Sequence, residues 1–213
     1  TPGSNDYFGY SVAISGDTVV VGAYGEDEDA SEGNTLSGAG SIYVFTRSGT
    51  SWTQQQKIVA SDRATNDYFG YSVDISGETI IAGAPLEDHD AAGNNSITSA
   101  GSAYVFTRSG STWSQQQKIV ASDRATGHDF GTRVAIHDDV AVVGAPGDGT
   151  DDKGQAYVFT RSGTTWTERQ VLAATDGSAA DRYGNSVAVY KYFIAIGARD
   201  DDADEGSVYL YNS

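Results

Sequence analysis

Apolar residues fall along this chain in short runs, rich in Val, Ile, Tyr, Phe and Thr and bounded by Gly, Ser and Asp. Runs of that length and composition read as β-strands, and no window carries the spacing of a useful helix. The first set lies at 11–14, 18–23, 41–47 and 52–60. Further sets lie at 72–75, 79–84, 102–108 and 113–121, then at 133–136, 140–145, 155–161 and 166–173, and last at 186–190, 193–198 and 207–211. The third run of each set decides the packing. In Ile42-Tyr43-Val44-Phe45 both alternating side-chain sets are apolar, so both faces of that strand must be covered. The fourth run is half polar. Strict alternation puts Trp52, Gln54, Gln56 and Ile58 on one face and Thr53, Gln55, Lys57 and Val59 on the other, a pattern suited to an outer edge. The turn before it, Arg47-Ser48-Gly49, returns as Arg108-Ser109-Gly110 and Arg161-Ser162-Gly163.

The sets belong to a repeat. NDYFGYSVAISGDTVVVGA over 5–23 becomes NDYFGYSVDISGETIIAGA over 66–84, with looser copies from Gly127 and Asp181. The anchors Phe8, Phe69, Phe130 and Tyr183 stand 61, 61 and 53 residues apart. Small sheets covered on both faces and repeated at a fixed period predict an all-β fold, a β-propeller built of four-stranded antiparallel blades. The chain 1–213 is then a single propeller domain or propeller segment, with repeats at approximately 5–65, 66–126, 127–180 and 181–213. Fifteen strands of an expected sixteen are present, because the last repeat lacks its Trp-containing strand. Three closures are open: a segment of a larger propeller, a four-bladed ring, or a unit completed by another chain. The segment ranks first. The absence of methionine, even at position 1, also leads to the expectation of a processed or trimmed piece of a longer product.

Composition narrows the partners. A net charge of -16 disfavours nucleic-acid binding and adhesion to anionic membranes, both of which need basic patches. No apolar run approaches the length of a membrane helix, so no membrane insertion is expected. There are no cysteines to form disulfides.

Phe-Gly, a strand, and then Gly-Ala-Pro resembles the FG-GAP repeat of integrin α-subunit propellers and related proteins. It stands here as Phe8-Gly9 with Gly22-Ala23-Tyr24, Phe69-Gly70 with Gly83-Ala84-Pro85, Phe130-Gly131 with Gly144-Ala145-Pro146, and Tyr183-Gly184 with Gly197-Ala198-Arg199. The resemblance covers essentially the whole chain and implies a propeller of four-stranded blades, extracellular or at the cell surface and used for binding. Calcium-binding members carry an Asp-rich loop between the two motif halves. Here that connection is only Ser15-Gly16-Asp17, Ser76-Gly77-Glu78 or His137-Asp138-Asp139, too few oxygens for calcium. The family's metal site is therefore not carried over.

More than half of the 29 acids sit instead in the loop after Gly-Ala. The sixth residue after the motif alanine is Asp29, Asp90, Asp151 or Asp204, and the fourth is Asp27, Asp88 or Asp202. With Asp148, these are the candidate metal ligands, and calcium is the cation that Asp-x-Asp pairs with nearby carbonyls would take. The competing reading makes them solvated loops that provide solubility. Zinc is not expected from a chain without cysteine and with only three histidines. Antiparallel geometry puts these loops and the inter-repeat connections at one end, making it strongly negative, with the Ser-Gly-Asp and Arg-Ser-Gly turns at the other.

His89, His128 and His137 each neighbour an aspartate but have no paired nucleophile at a recognisable motif, so no enzyme is expected. Trp52, Trp113 and Trp166 recur in step and read as core or edge packing. Two functional classes remain: an extracellular binding or adhesion module that takes a protein or glycan partner, and a structural subunit that self-associates into an extracellular assembly or filament.

Overall fold

The structure, a computed structural model, describes residues 3–148, 152–201 and 205–212. Strands β1 (Ser11–Ser15), β2 (Thr18–Ala23), β3 (Ser41–Ser48) and β4 (Ser51–Ile58) form the first sheet, in chain order and antiparallel. The second sheet has β5 (Ser72–Ser76), β6 (Thr79–Ala84), β7 (Ser102–Ser109) and β8 (Thr112–Ile119). The third has β9 (Arg133–His137), β10 (Val140–Ala145), β11 (Gln155–Ser162) and β12 (Thr165–Leu172). The fourth has three strands, β13 (Tyr183–Tyr190), β14 (Phe193–Ala198) and β15 (Ser207–Asn212). The all-β reading, the four repeats and their strands are all present. Among the described residues the sheets do not close on one another, and Val12 and Ile14 of the first and Val208 and Leu210 of the last stay exposed.

Apolar cores lie between successive sheets. One face of the first sheet, with Val20, Ile42, Val44 and Ile58, packs on Phe69, Val73, Ile75 and Trp113 of the second. The same arrangement places Ala103, Val105 and Ile119 against Phe130, Val134, Ile136 and Trp166, and Ala156, Val158 and Leu172 against Tyr183 and Ile194. Each sheet thus has a leading face, which carries its Phe or Tyr anchor, and a trailing face, which carries the small and branched residues of its third strand. The first strands lie against one another along the inside of the arc.

The two halves of the repeat motif meet across these interfaces. The carbonyl of Gly70 approaches Gly22 of the preceding sheet so closely that a Cβ there would lie 2.0 Å from the oxygen. Gly131 on Gly83 and Gly184 on Gly144 repeat the contact, at 1.9 and 2.0 Å. Only glycine admits such an approach. The anchor's own N–H is held by the preceding loop, with Phe69 N–H donating to Ala39 O (3.2 Å) and Phe130 N–H to Ala100 O (3.2 Å).

The outer strands depart from the alternation expected of them. A bulge displaces Gln55, so that Val44 opposes Gln56 while Phe45 opposes Gln54. Trp52 and Gln54 therefore share the leading face with Lys57, and Gln56 and Ile58 face the next sheet. The expected single face of Trp52, Gln54, Gln56 and Ile58 is split, because one extra residue inverts every side chain beyond it. The bulge has a use. Gln55 Oε1 accepts from Trp113 Nε1 (2.9 Å), and Gln56 both accepts from Trp113 N–H (2.8 Å) and donates to Trp113 O (2.9 Å). Gln116 and Gln117 do the same for Trp166. These glutamines fasten neighbouring sheets.

Candidate functional site

The loops that follow β2 and β6 are built around their aspartates. Asp29 accepts from Ser31 N–H and Oγ (2.8 and 2.7 Å), Gly33 N–H (3.0 Å) and Asn34 Nδ2 (2.8 Å). Asp90 accepts from the N–H groups of Ala92, Asn94 and Asn95 and from Asn95 Nδ2 (2.6 Å). The Ser31 hydroxyl and Gly33 N–H hold Asp29 well below the usual carboxylate range, as the Asn94 and Asn95 N–H groups hold Asp90. Asp27 and Asp88 brace the far side of each loop, accepting from Gly38 and Ser99 N–H at 2.8 Å. Arginines of the following connection complete the brace. Arg63 donates to Asp27 O (2.6 Å) and Asn34 O (2.8 Å), and Arg124 to Asp88 O (2.7 Å) and Asn95 O (3.2 Å). The candidate pairs Asp27/Asp29 and Asp88/Asp90 therefore sit at the expected end, each carboxylate turned onto N–H donors of its own loop. Asp151, Asp202 and Asp204 lie outside the described residues.

Beneath the loops runs a buried polar cluster that the sequence reading missed. The third residue after each motif alanine is an acid with almost no exposure: Glu26, Glu87, Asp148 and Asp201. Lys57 Nζ reaches Glu26 at 3.3 Å and Glu32 at 3.0 Å, and Tyr43 donates to Glu26. Burial pushes the Glu26 carboxyl up, but the bonds from Glu28, Tyr43 and Lys57 outweigh it and leave it below its ordinary value. In the second sheet, Lys118 Nζ lies 2.8 Å from both Glu87 and Asp62, and Ser102 Oγ donates to Glu87 (2.6 Å). Asp67, packed beside this group, is pushed up to about 6 by burial, with Glu87 and Asp62 reinforcing the shift and Ala64 N–H and Lys118 opposing it. Among the described candidate ligands, Asp148 alone belongs to this buried row. Its signal in the sequence was the acid in register with Glu26 and Glu87, and Lys57 and Lys118 recurring a repeat apart.

On the inside of the arc, at the same end, a cleft of about 570 Å³ is lined by Tyr10, Tyr71, Arg133, Arg182, Arg199 and Asp129, among others. Tyr10 donates to Tyr71 Oη (2.9 Å), and the Arg133 guanidinium lies 5.9 Å from the Tyr71 ring centre. Asp129 is pushed up to about 6, by burial first and by Asp152 after it. The acidic end thus encloses an aromatic, arginine-bearing centre. Sequence spacing alone did not reveal it, because its residues come from all four repeats and meet only when the first strands converge.

Four antiparallel sheets in chain order, joined by the Gly-Ala of one and the Phe-Gly or Tyr-Gly of the next, define a tandem-repeat β protein. The model of the FG-GAP repeat matches residues 2–45, 52–106, 113–159 and 166–211, and the chain belongs to that family. The second match runs from Trp52 in β4 to Phe106 in β7, so it spans an interface between sheets rather than a single sheet. A search of curated proteins returns no match.

Proposed function

We propose that the chain is a non-enzymatic extracellular binding and adhesion module, its four sheets the blades of a β-propeller arc, and that the inner cleft at the acidic end is where a protein or glycan partner docks. The observation that carries this reading is the joining of Tyr10, Tyr71 and Arg133 around one opening at the start of the first strands. Tyr and Arg are the side chains that dominate binding surfaces, since they offer large contact area and directed charge. Groups anchored at strand ends reduce the ordering cost of capture. The family supports the setting, since FG-GAP repeats are typical of extracellular and surface proteins. The arginines favour a partner that carries carboxylates. Calcium is the cation proposed for the surrounding loops; to take it, Asp29 and Asp90 must exchange N–H partners for the ion.

The test is an array of acidic glycans and acidic peptides, probed with calcium and again with chelator. Saturable binding that weakens at least tenfold in Tyr71→Ala with Arg133→Ala, at unchanged unfolding temperature, supports the cleft. Absence of saturable binding in both conditions, or binding indifferent to the double variant, overturns it.

A second reading, the structural subunit, rests on a different observation. Val12 and Ile14 on the first leading face are 66% and 64% exposed, whereas their counterparts Val73 and Ile75 are 8% and 5% exposed. On the last trailing face Val208 and Leu210 are 69% and 78% exposed, against full burial of Ile42 and Val44. In this reading the occupant of each face is a second copy, joined head to tail through the contact already made three times within the chain.

A further inference from the structure

The third sheet departs from the first two at the buried cluster, and the departures point one way. In β4 the residue opposite Tyr43 is Lys57, and in β8 the residue opposite Tyr104 is Lys118. In β12 the residue opposite Tyr157 is Val171. The ammonium that lies on Glu26 and Glu87 is thus not supplied from β12. The buried acid itself is shortened from glutamate to Asp148, 1% exposed. The position held by Asp6 and Asp67 in the first two repeats is taken by His128, 8% exposed. Asp6 and Asp67 accept N–H bonds from their own turns, at Gly3 and Ala64. Among the described residues, His128 Nδ1 is buried without a hydrogen-bond partner, and it lies 3.2 Å from Asp148 Oδ2. Asp123, in the place of Asp62, completes the group, and donor atoms of the three side chains lie within 4.8 Å of one another.

We infer that Asp123, His128 and Asp148 bind a divalent cation of the zinc class, in the place that a lysine ammonium fills in the first two sheets. One imidazole nitrogen and two carboxylates suit zinc or its first-row neighbours and are too few and too nitrogenous for calcium. Bonds of about 2.0–2.2 Å to a tetrahedral ion set donors roughly 3.4 Å apart, close to the spacing His128 and Asp148 already have. Asp123 is exposed and closes on the ion from the solvent side. Tyr157 Oη donates to Asp123 Oδ1 (2.7 Å) and to Asp148 Oδ2, and Gln155 Nε2 donates to Asp148 Oδ1 (3.3 Å). Such outer contacts orient metal ligands. Two carboxylates beside an imidazole favour a dication, and this site is proposed against the expectation that a chain without cysteine takes no zinc. The chain needs no cysteine because the fold brings its scarce histidine to buried acid.

The experiment titrates the metal-free chain with zinc chloride, and separately with cobalt chloride followed by visible absorption. One equivalent is expected to bind, with a cobalt spectrum of nitrogen and oxygen ligation that excess calcium does not abolish. His128→Asn is expected to weaken binding by at least about tenfold. Val171→Lys, which restores the ammonium of the other sheets, is expected to weaken it as much while unfolding as cooperatively as the parent. No binding at one equivalent, displacement by calcium, or undiminished binding in either variant overturns the site.

Discussion

Asp67 illustrates how a single side chain makes this fold respond to acid. Its carboxyl, ordinarily near 3.8, is held at about 6 by burial next to Glu87 and Asp62. Between those values the folded chain keeps a proton that the unfolded chain has released. The contribution of this group therefore grows as pH falls from 7 towards 4 and is lost as pH rises through 6. Asp67→Asn retains an acceptor for Ala64 N–H and has no charge to bury. In urea unfolding at stepped pH, the stability of the asparagine variant relative to the parent is expected to be highest at pH 7 and to decline towards pH 4. A difference that does not vary with pH would place the charge elsewhere. At this scale the sequence was informative where a residue recurs and silent where one deviates. Phe-Gly and Gly-Ala announced themselves, whereas Val171 and His128 acquired meaning only once the strand register set them opposite Tyr157 and beside Asp148.

Among the elements, the outer strands were the hardest to read. Gln54-Gln55-Gln56 has the look of a solubilising edge, and simple alternation assigns its side chains to the wrong faces. The bulge that corrects this cannot be seen in a run of three identical residues. With it, two glutamines close three hydrogen bonds onto Trp113, which is buried. Gln56→Ala leaves the Trp113 N–H without its acceptor, so a loss of about 1–3 kcal/mol is expected in chemical denaturation. Gln54→Ala, with no such bonds, serves as the comparison. Equal effects of the two substitutions would mean that the fastening contributes nothing beyond strand propensity. The strands, their order and their antiparallel pairing were legible because the apolar runs and glycine turns are local signals. Contacts between sheets were not, since they depend on bulge and twist.

For the whole molecule the decisive features are the two uncovered faces and the net charge of -16. Leading and trailing faces fit each other at every internal interface, so one copy is expected to add to another by the same contact. Strong like charge opposes the approach, and salt screens it. Sedimentation over a wide concentration range is expected to show mass rising with concentration and with salt. Val12→Asp or Leu210→Asp is expected to leave a single protomer mass. A protomer at all concentrations and salt levels, or variants that associate like the parent, would refute head-to-tail growth and leave the binding module alone.

The inequality of those faces gives the arc a direction, like an arrow with a distinct tip and nock. Contacts between unlike patches do not join two molecules by like faces, so copies add in one direction and either close into a ring or run on as an open string. In an open string every added copy leaves the same tip exposed as before. A molecule spoiled at one end only would still be accepted at its sound end, and it would then terminate whatever it had joined.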